Sequence, residues 1–128
     1  DLTDKSLRED IQCYARIMKL MALYDMQEYN LILKYGKDFQ KFYDKLKHPN
    51  RVQITVLEML EQLANTPIFS QKDILKIHFE KLKILKENNF EKRAFIYLDV
   101  LPWILSKVKR RSIGESVRGI RISICLVF

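Results

Sequence analysis

Apolar residues return every three or four positions along most of the chain, the spacing that lines one face of an α-helix. The first such stretch covers residues 4–24, where Leu7, Ile11, Tyr14, Met18 and Met21 form the recurring set. Ser6 and Glu9 have capping-box spacing near its start. A second stretch over 28–47 carries Leu31, Tyr35, Phe39, Phe42 and Leu46, with Gly36 inside it. A glycine there costs about 1 kcal/mol relative to alanine, which points to close approach by a neighbouring helix or to simple tolerance. His48-Pro49-Asn50 breaks the pattern, because the residue before a proline is pushed out of the helical region.

A third helix is predicted over 51–64 from Val52, Val56, Met59 and Leu63, and Asn65-Thr66-Pro67 ends it. Ser70 then reads as the cap of a fourth helix, with Asp73 in its first turn and Phe69 and Ile74 at staple positions. Leu75, Phe79, Leu82 and Leu85 make its apolar face, and Glu87-Asn88-Asn89 closes it. The fifth helix is predicted over 90–110, with Phe95, Leu98, Leu101, Leu105 and Val108 inward. Pro102 falls inside that pattern and predicts a kink near Leu98. The expected fold is therefore all-α, with about five helices stacked as antiparallel pairs in a helical domain over 1–111. Residues 112–128 read as an extended or mobile tail, broken by Gly114 and Gly119 and β-branched from Ile120 onward.

Two stretches of the chain align with each other. Lys19-Leu20-Met21-Ala22-Leu23 leading to Gln27-Glu28-Tyr29 parallels Lys81-Leu82-Lys83-Ile84-Leu85 leading to Asn88-Asn89-Phe90. In each, a helix ends in a polar turn and an aromatic residue, Tyr29 or Phe90, opens the next helix and packs back on the previous one. Leu31, Tyr35 and Phe39 follow in one copy, and Ala94, Tyr97 and Leu101 in the other. The pattern resembles tetratricopeptide-type helical repeats, with a period of about 61 residues where that family has about 34. The run through Tyr97-Leu98-Asp99 to Trp103-Ile104-Leu105-Ser106-Lys107 is similar to the C-terminal part of long, uncharacterised bacterial helical-repeat proteins. That resemblance implies a binding scaffold and no catalytic residue.

Composition supports a single folded unit. Of the 128 residues 48% are hydrophobic and 30% charged, with only 3 Gly and 3 Pro, which argues against a turn-rich all-β fold and against disorder. The net charge of +7 is concentrated at one end. Lys107, Lys109, Arg110, Arg111, Arg118 and Arg121 face one acid, Glu115, whereas the first 106 residues are nearly balanced. Cys13 and Cys125 lie far apart and read as free thiols of a reducing, cytoplasmic setting. No apolar run is long enough to span a membrane, and no signal peptide is visible. A chain beginning at Asp1 is expected to be a fragment or a processed form.

Candidate chemistry is sparse. His78 has Ile74, Leu75, Lys81 and Leu82 as its helical neighbours, none of which shares a metal or orients the ring, so it reads as a helix-edge residue. His48 reads as an exposed loop residue. Glu58 and Glu61 share a face and read as solvated, although paired carboxylates do acid–base work when buried. No phosphate loop, nucleophile elbow or paired-cysteine motif occurs, so no enzyme, cofactor or metal is expected. Lys34, Lys37, Lys41 and Lys45 read as a solvated stripe, offset by Asp38. The denser run of Lys107, Lys109, Arg110 and Arg111 is a candidate partner site, as is the apolar set Ile120, Ile122 and Ile124, which invites pairing at a free end. Trp103 is expected in the core. The function these features predict is a protein–protein interaction scaffold, binding a protein partner or a second copy of itself and no small molecule, with a nucleic-acid-binding regulator using the basic C-terminal stretch as the alternative.

Overall fold

The computed structural model describes the backbone of residues 2–114, and the side chains of 8–96 and 98–110. Six helices account for most of it: α1 (Leu2–Asp25), α2 (Tyr29–Asp44), α3 (Arg51–Ala64), α4 (Gln71–Leu85), α5 (Lys92–Tyr97) and α6 (Val100–Gly114). The described residues contain no strand. Ile120, Ile122, Ile124 and the rest of the expected tail from residue 115 lie outside the described residues, while 112–114 continue α6.

The long helices run antiparallel to their neighbours along the chain. Along α1 and α2, Tyr24 meets Tyr29, Lys19 meets Tyr35 and Arg16 meets Phe42, so the pairing advances in opposite directions. Along α2 and α3, Tyr43 bonds the Asn50 carbonyl while Gly36 faces Leu57 and Glu61. Along α3 and α4, Gln71 bonds the Leu63 carbonyl near the connection. Lys86 at the end of α4 bridges Asp99 at the start of α6 at 3.0 Å, and α6 returns along α4. Helix α3 is the centre of the stack, packed by α1, α2 and α4, and buries Val52, Gln53, Val56, Leu57, Met59, Leu60 and Leu63. Phe39, Ile17, Leu20, Ile32, Leu75, Leu82 and Ile104 complete the fully buried layer around it.

The fully buried row of α2 is Ile32, Gly36 and Phe39; of the expected stripe, Leu31, Tyr35 and Phe42 pack half-buried beside it and Leu46 lies past the helix end, while Gly36 marks a close approach. A Cβ there would meet Glu61 Oε2 at 2.9 Å and Leu57 Cδ1 at 3.2 Å. The turn between α1 and α2 is a Schellman motif. The Glu28 N–H donates to Leu23 O and the Gln27 N–H to Tyr24 O, both at 2.9 Å, with Gln27 left-handed at φ 59°. Tyr29 opens α2 as predicted and its ring lies 6.0 Å from that of Tyr24.

Several expectations are corrected. Ser6 is inside α1, which starts at Leu2, so the Ser6–Glu9 spacing marks no helix start. The buried row of α1 is Cys13, Tyr14, Ile17, Leu20, Met21 and Tyr24, whereas Ile11 and Met18 are exposed. The period was right and the phase was shifted by part of a turn. Ser70 ends a short 3-10 turn (Ile68–Ser70) and its side chain makes no cap, while Phe69 is 76% exposed and staples nothing. Phe90 does not open a helix: it lies in the turn before α5, partly exposed, under the Arg93 guanidinium.

The fifth predicted helix is two. The chain becomes extended at Leu98, Asp99 Oδ1 accepts from the Leu101 N–H at 3.1 Å, and α6 starts afresh at Val100. Pro102 therefore sits in a first helical turn, where its missing N–H has no intrahelical partner to lose. Its clash with the carbonyl four residues back is removed by the break at Leu98 itself. Leu105 is exposed and Ile104 takes the buried position expected for it.

Candidate interaction surface

The C-terminal basic run is divided by the fold. Lys107 is 4% exposed and pairs with Asp25 Oδ1, so it is not offered to a partner as expected. Its ammonium also lies 5.2 Å from the Trp103 ring. Trp103 is half-buried against the core, edge-on to Tyr24 at 5.5 Å, with Nε1 at 3.4 Å from Asp25 Oδ2. The Tyr24 hydroxyl donates to Gln71 Oε1 at 2.7 Å, and Gln71 Nε2 donates to Leu63 O at 3.0 Å and Thr66 O at 3.2 Å. Two polar groups, joined by the Tyr24–Trp103 ring contact, thus tie α6, the end of α1, the start of α4 and the end of α3. Asp25 is an acid at a helix C-terminus, where the dipole disfavours it, and the Lys107 cation compensates. Lys109 remains exposed, Arg110 is half-buried, and the side chain of Arg111 lies outside the described residues.

A second polar knot sits at the opposite end of the stack. Asn50 Oδ1 and Glu91 Oε1 both accept from the Val52 N–H at 3.0 Å. Tyr43 donates to Asn50 O at 2.9 Å, and burial, then the Glu91 charge, push its hydroxyl up to about 12. Arg93 Nε lies 3.4 Å from Asp10 Oδ2. Burial raises the Asp10 carboxyl despite that guanidinium. The free Cys13 thiol is pushed up to about 12 by burial first and Asp10 second, so it is held protonated and unreactive.

The remaining titratable candidates fall into place individually. His78 is buried rather than at a helix edge, with Nδ1 2.8 Å from Ile74 O. His48 is exposed in its loop. Glu58 is exposed, whereas Glu61 is half-buried over Gly36, and burial followed by the Glu58 charge raises its carboxyl. Both line an open cleft of about 350 Å³ with Gln62, Asn65, Thr66 and Ile74. No grouping of three metal-ligating side chains occurs among the described residues. No described helix is long and apolar enough to cross a membrane.

What sequence periodicity placed inside and the fold leaves outside is the more informative surface. Ile11 is 53% and Met18 55% exposed, and Ala15 and Ala22 are exposed between and beyond them. Positions 11, 15, 18 and 22 follow a four-three-four spacing and form one straight row on α1. Arg8, Gln12 and Lys19 line the edge of this row nearer α2, all exposed. Across the groove, α2 exposes Lys34, Lys37, Lys41 and Lys45, with Asp38 among them. The cations at the groove rest on rings: Arg16 lies 3.9 Å over Phe42, and Lys19 and Lys34 lie 3.5 and 5.6 Å from the Tyr35 centroid. Among the described residues, ion pairs occur only at Lys86, Arg93 and Lys107, so no carboxylate pairs directly with the cations of this face, and Asp38 offsets only part of their charge. The signal that could have found the row is Ala15 and Ala22, small residues spaced like the buried stripe beside it.

None of the protein-family models, curated proteins or solved structures compared with this chain matches it.

Proposed function

We propose that the chain is a non-catalytic protein–protein interaction module of helical-repeat type, and that its α1 row receives a helix of a partner protein. The observation that carries this reading is the exposed row Ile11, Ala15, Met18 and Ala22, two large apolar side chains alternating with two small ones. Apolar side chains spaced this way pack into the grooves of an opposing helix, and alanines allow the backbones to approach. The stacked antiparallel arrangement supports the same reading, because each helix pair in such a stack presents a face for a further one. The free buried Cys13 thiol accords with a reducing, cytoplasmic setting. A role in nucleic-acid binding through the C-terminal stretch has less support, because Lys107 is held by Asp25.

Selection of a displayed library of helical peptides against the full chain tests the proposal. The expected consensus has apolar residues repeating at three and four positions, and its retention is lost with Met18→Lys. A selection that yields no consensus, or one indifferent to Met18→Lys, overturns it.

A further inference from the structure

We infer that the α1 row is specific for an acidic amphipathic helix, whose apolar side lies on Ile11, Ala15, Met18 and Ala22 while its carboxylates meet Arg8, Lys19 and Lys34. The inference rests on the interaction reading above and adds the partner's chemistry to it. Three observations argue for acid. First, cations outnumber acids on the side of the row nearer α2: Arg8 and Lys19 stand on α1 itself, and Lys34, Lys41 and Lys45 stand across the groove with the exposed Asp38 among them. Second, Arg16 and Lys19 are steadied by aromatic faces instead of carboxylates, which positions a cation without neutralising it. Third, Asp25, the exposed acid at the far end of α1, is already engaged by Lys107 and Trp103 and does not offset this charge.

The same charges disfavour a second copy of the chain as occupant. Self-association across the row would set the basic edges of two molecules, each with Arg8 and Lys19, against one another. A helix has a diameter of about 10–12 Å, so one lying on the row brings its flank over Lys19 and toward the α2 lysines. Apolar anchors at helical spacing then supply affinity, and the flanking charges supply orientation and selectivity.

The test uses the full chain and three fluorescein-labelled synthetic helices sharing one leucine row, with Glu, Gln or Lys on the flank. Fluorescence anisotropy is expected to rank them Glu, Gln, Lys, with the Glu peptide about tenfold tighter than the Gln peptide at low salt. That advantage is expected to shrink between roughly 50 and 300 mM salt. Arg8→Glu combined with Lys19→Glu should reverse the ranking, and Met18→Lys should weaken all three peptides. These positions are exposed and only Lys19 gives up a ring contact, with Tyr35, so the variants should still melt cooperatively within a few degrees of the parent. Equal affinity for the Glu and Gln peptides overturns the acidic specificity and leaves the interaction reading intact. Binding of no peptide overturns both. Displacement of the Glu peptide by a single-stranded oligonucleotide, with binding indifferent to Met18→Lys, overturns the inference in favour of a polyanion surface.

Discussion

Glu91 Oε1 accepts a hydrogen bond at 3.0 Å from the backbone N–H of Val52, 39 residues earlier in the chain. The first turn of α3 thereby receives two side-chain acceptors, one local from Asn50 and one from the turn before α5. Asn50 also reaches Phe90 O at 3.5 Å, and Asn88 Oδ1 accepts from the N–H groups of Phe90 and Glu91, which sets the turn that aims Glu91. The carboxylate stands at the positive end of the α3 dipole.

Glu91→Ala should therefore cost about 1–2 kcal/mol, the range for loss of a helix cap, because Asn50 keeps only half of the arrangement. Glu91→Gln retains an acceptor and loses the charge, and should cost less than the alanine. Urea unfolding of the two variants checks this. Equal losses would mean that charge alone, acting on the α3 dipole, accounts for the residue.

The Asp25–Lys107 pair should respond asymmetrically to its two deletions. Lys107 is buried, whereas the Asp25 side chain is 41% exposed. Removing the acid as Asp25→Asn leaves a buried ammonium facing a weaker acceptor, and about 2 kcal/mol of destabilisation is expected. Lys107→Met keeps an aliphatic side chain of similar length in the buried position and leaves a carboxylate that water can reach, so the loss should stay below about 1 kcal/mol. Thermal or urea unfolding of both variants and of the double variant gives the comparison. A larger loss for Lys107→Met would place the importance of the pair on the exposed side.

Local signals carried the fold and failed where tertiary contacts chose between equivalent local options. Val52, Val56, Met59 and Leu63 located α3 to the residue, because a helix packed by three others buries most of its apolar positions and leaves no doubt of phase. On α1 two apolar rows compete, one through Ile11 and Met18 and one through Ile17, Leu20 and Tyr24, and only packing against α2 and α3 selects the second. Pro102 signalled a disturbance near Leu98, but nothing local revealed that Asp99 would cap a new helix. Lys107 looked like one of four surface cations because its partner lies 82 positions away on α1. The α1 surface was not legible: periodicity placed Ile11 and Met18 inward, and only folding leaves them exposed beside Arg8, Lys19 and the α2 lysines.

Gln27 holds φ at 59° in the Schellman turn, a position that side chains with a Cβ adopt at a cost and glycine adopts freely. It is exposed and its side chain makes no described hydrogen bond, so replacement removes strain without removing a contact. Gln27→Gly should stabilise the chain by about 0.5–1 kcal/mol, after allowance for the added freedom of the unfolded state. Gln27→Ala should be neutral or slightly destabilising. A drop in melting temperature with glycine would show that the turn does not limit stability.

His78 gives the chain a pH response whose direction follows from its burial. Burial pushes its imidazole below the ordinary 6.5, Lys81 acts in the same sense, and the hydrogen bond to Ile74 O and the charge of Glu58 oppose them. The folded state therefore takes up a proton less readily than the unfolded state. Stability from this residue is complete above pH 6.5 and declines as pH falls from there toward the folded value. Asp10 and Glu61 act the other way, because burial raises both carboxyls and the folded state protonates first. Their contribution rises as pH falls through those raised values toward the ordinary carboxylate range, so the total profile is a mixture. His78→Leu isolates the imidazole: the variant should lose less stability than the parent between pH 7 and 5. The slope it removes is at most about 1.4 kcal/mol per pH unit, the value for one proton. Urea unfolding at half-unit pH intervals measures the difference, and parallel curves for the two proteins would show that His78 is as readily protonated folded as unfolded.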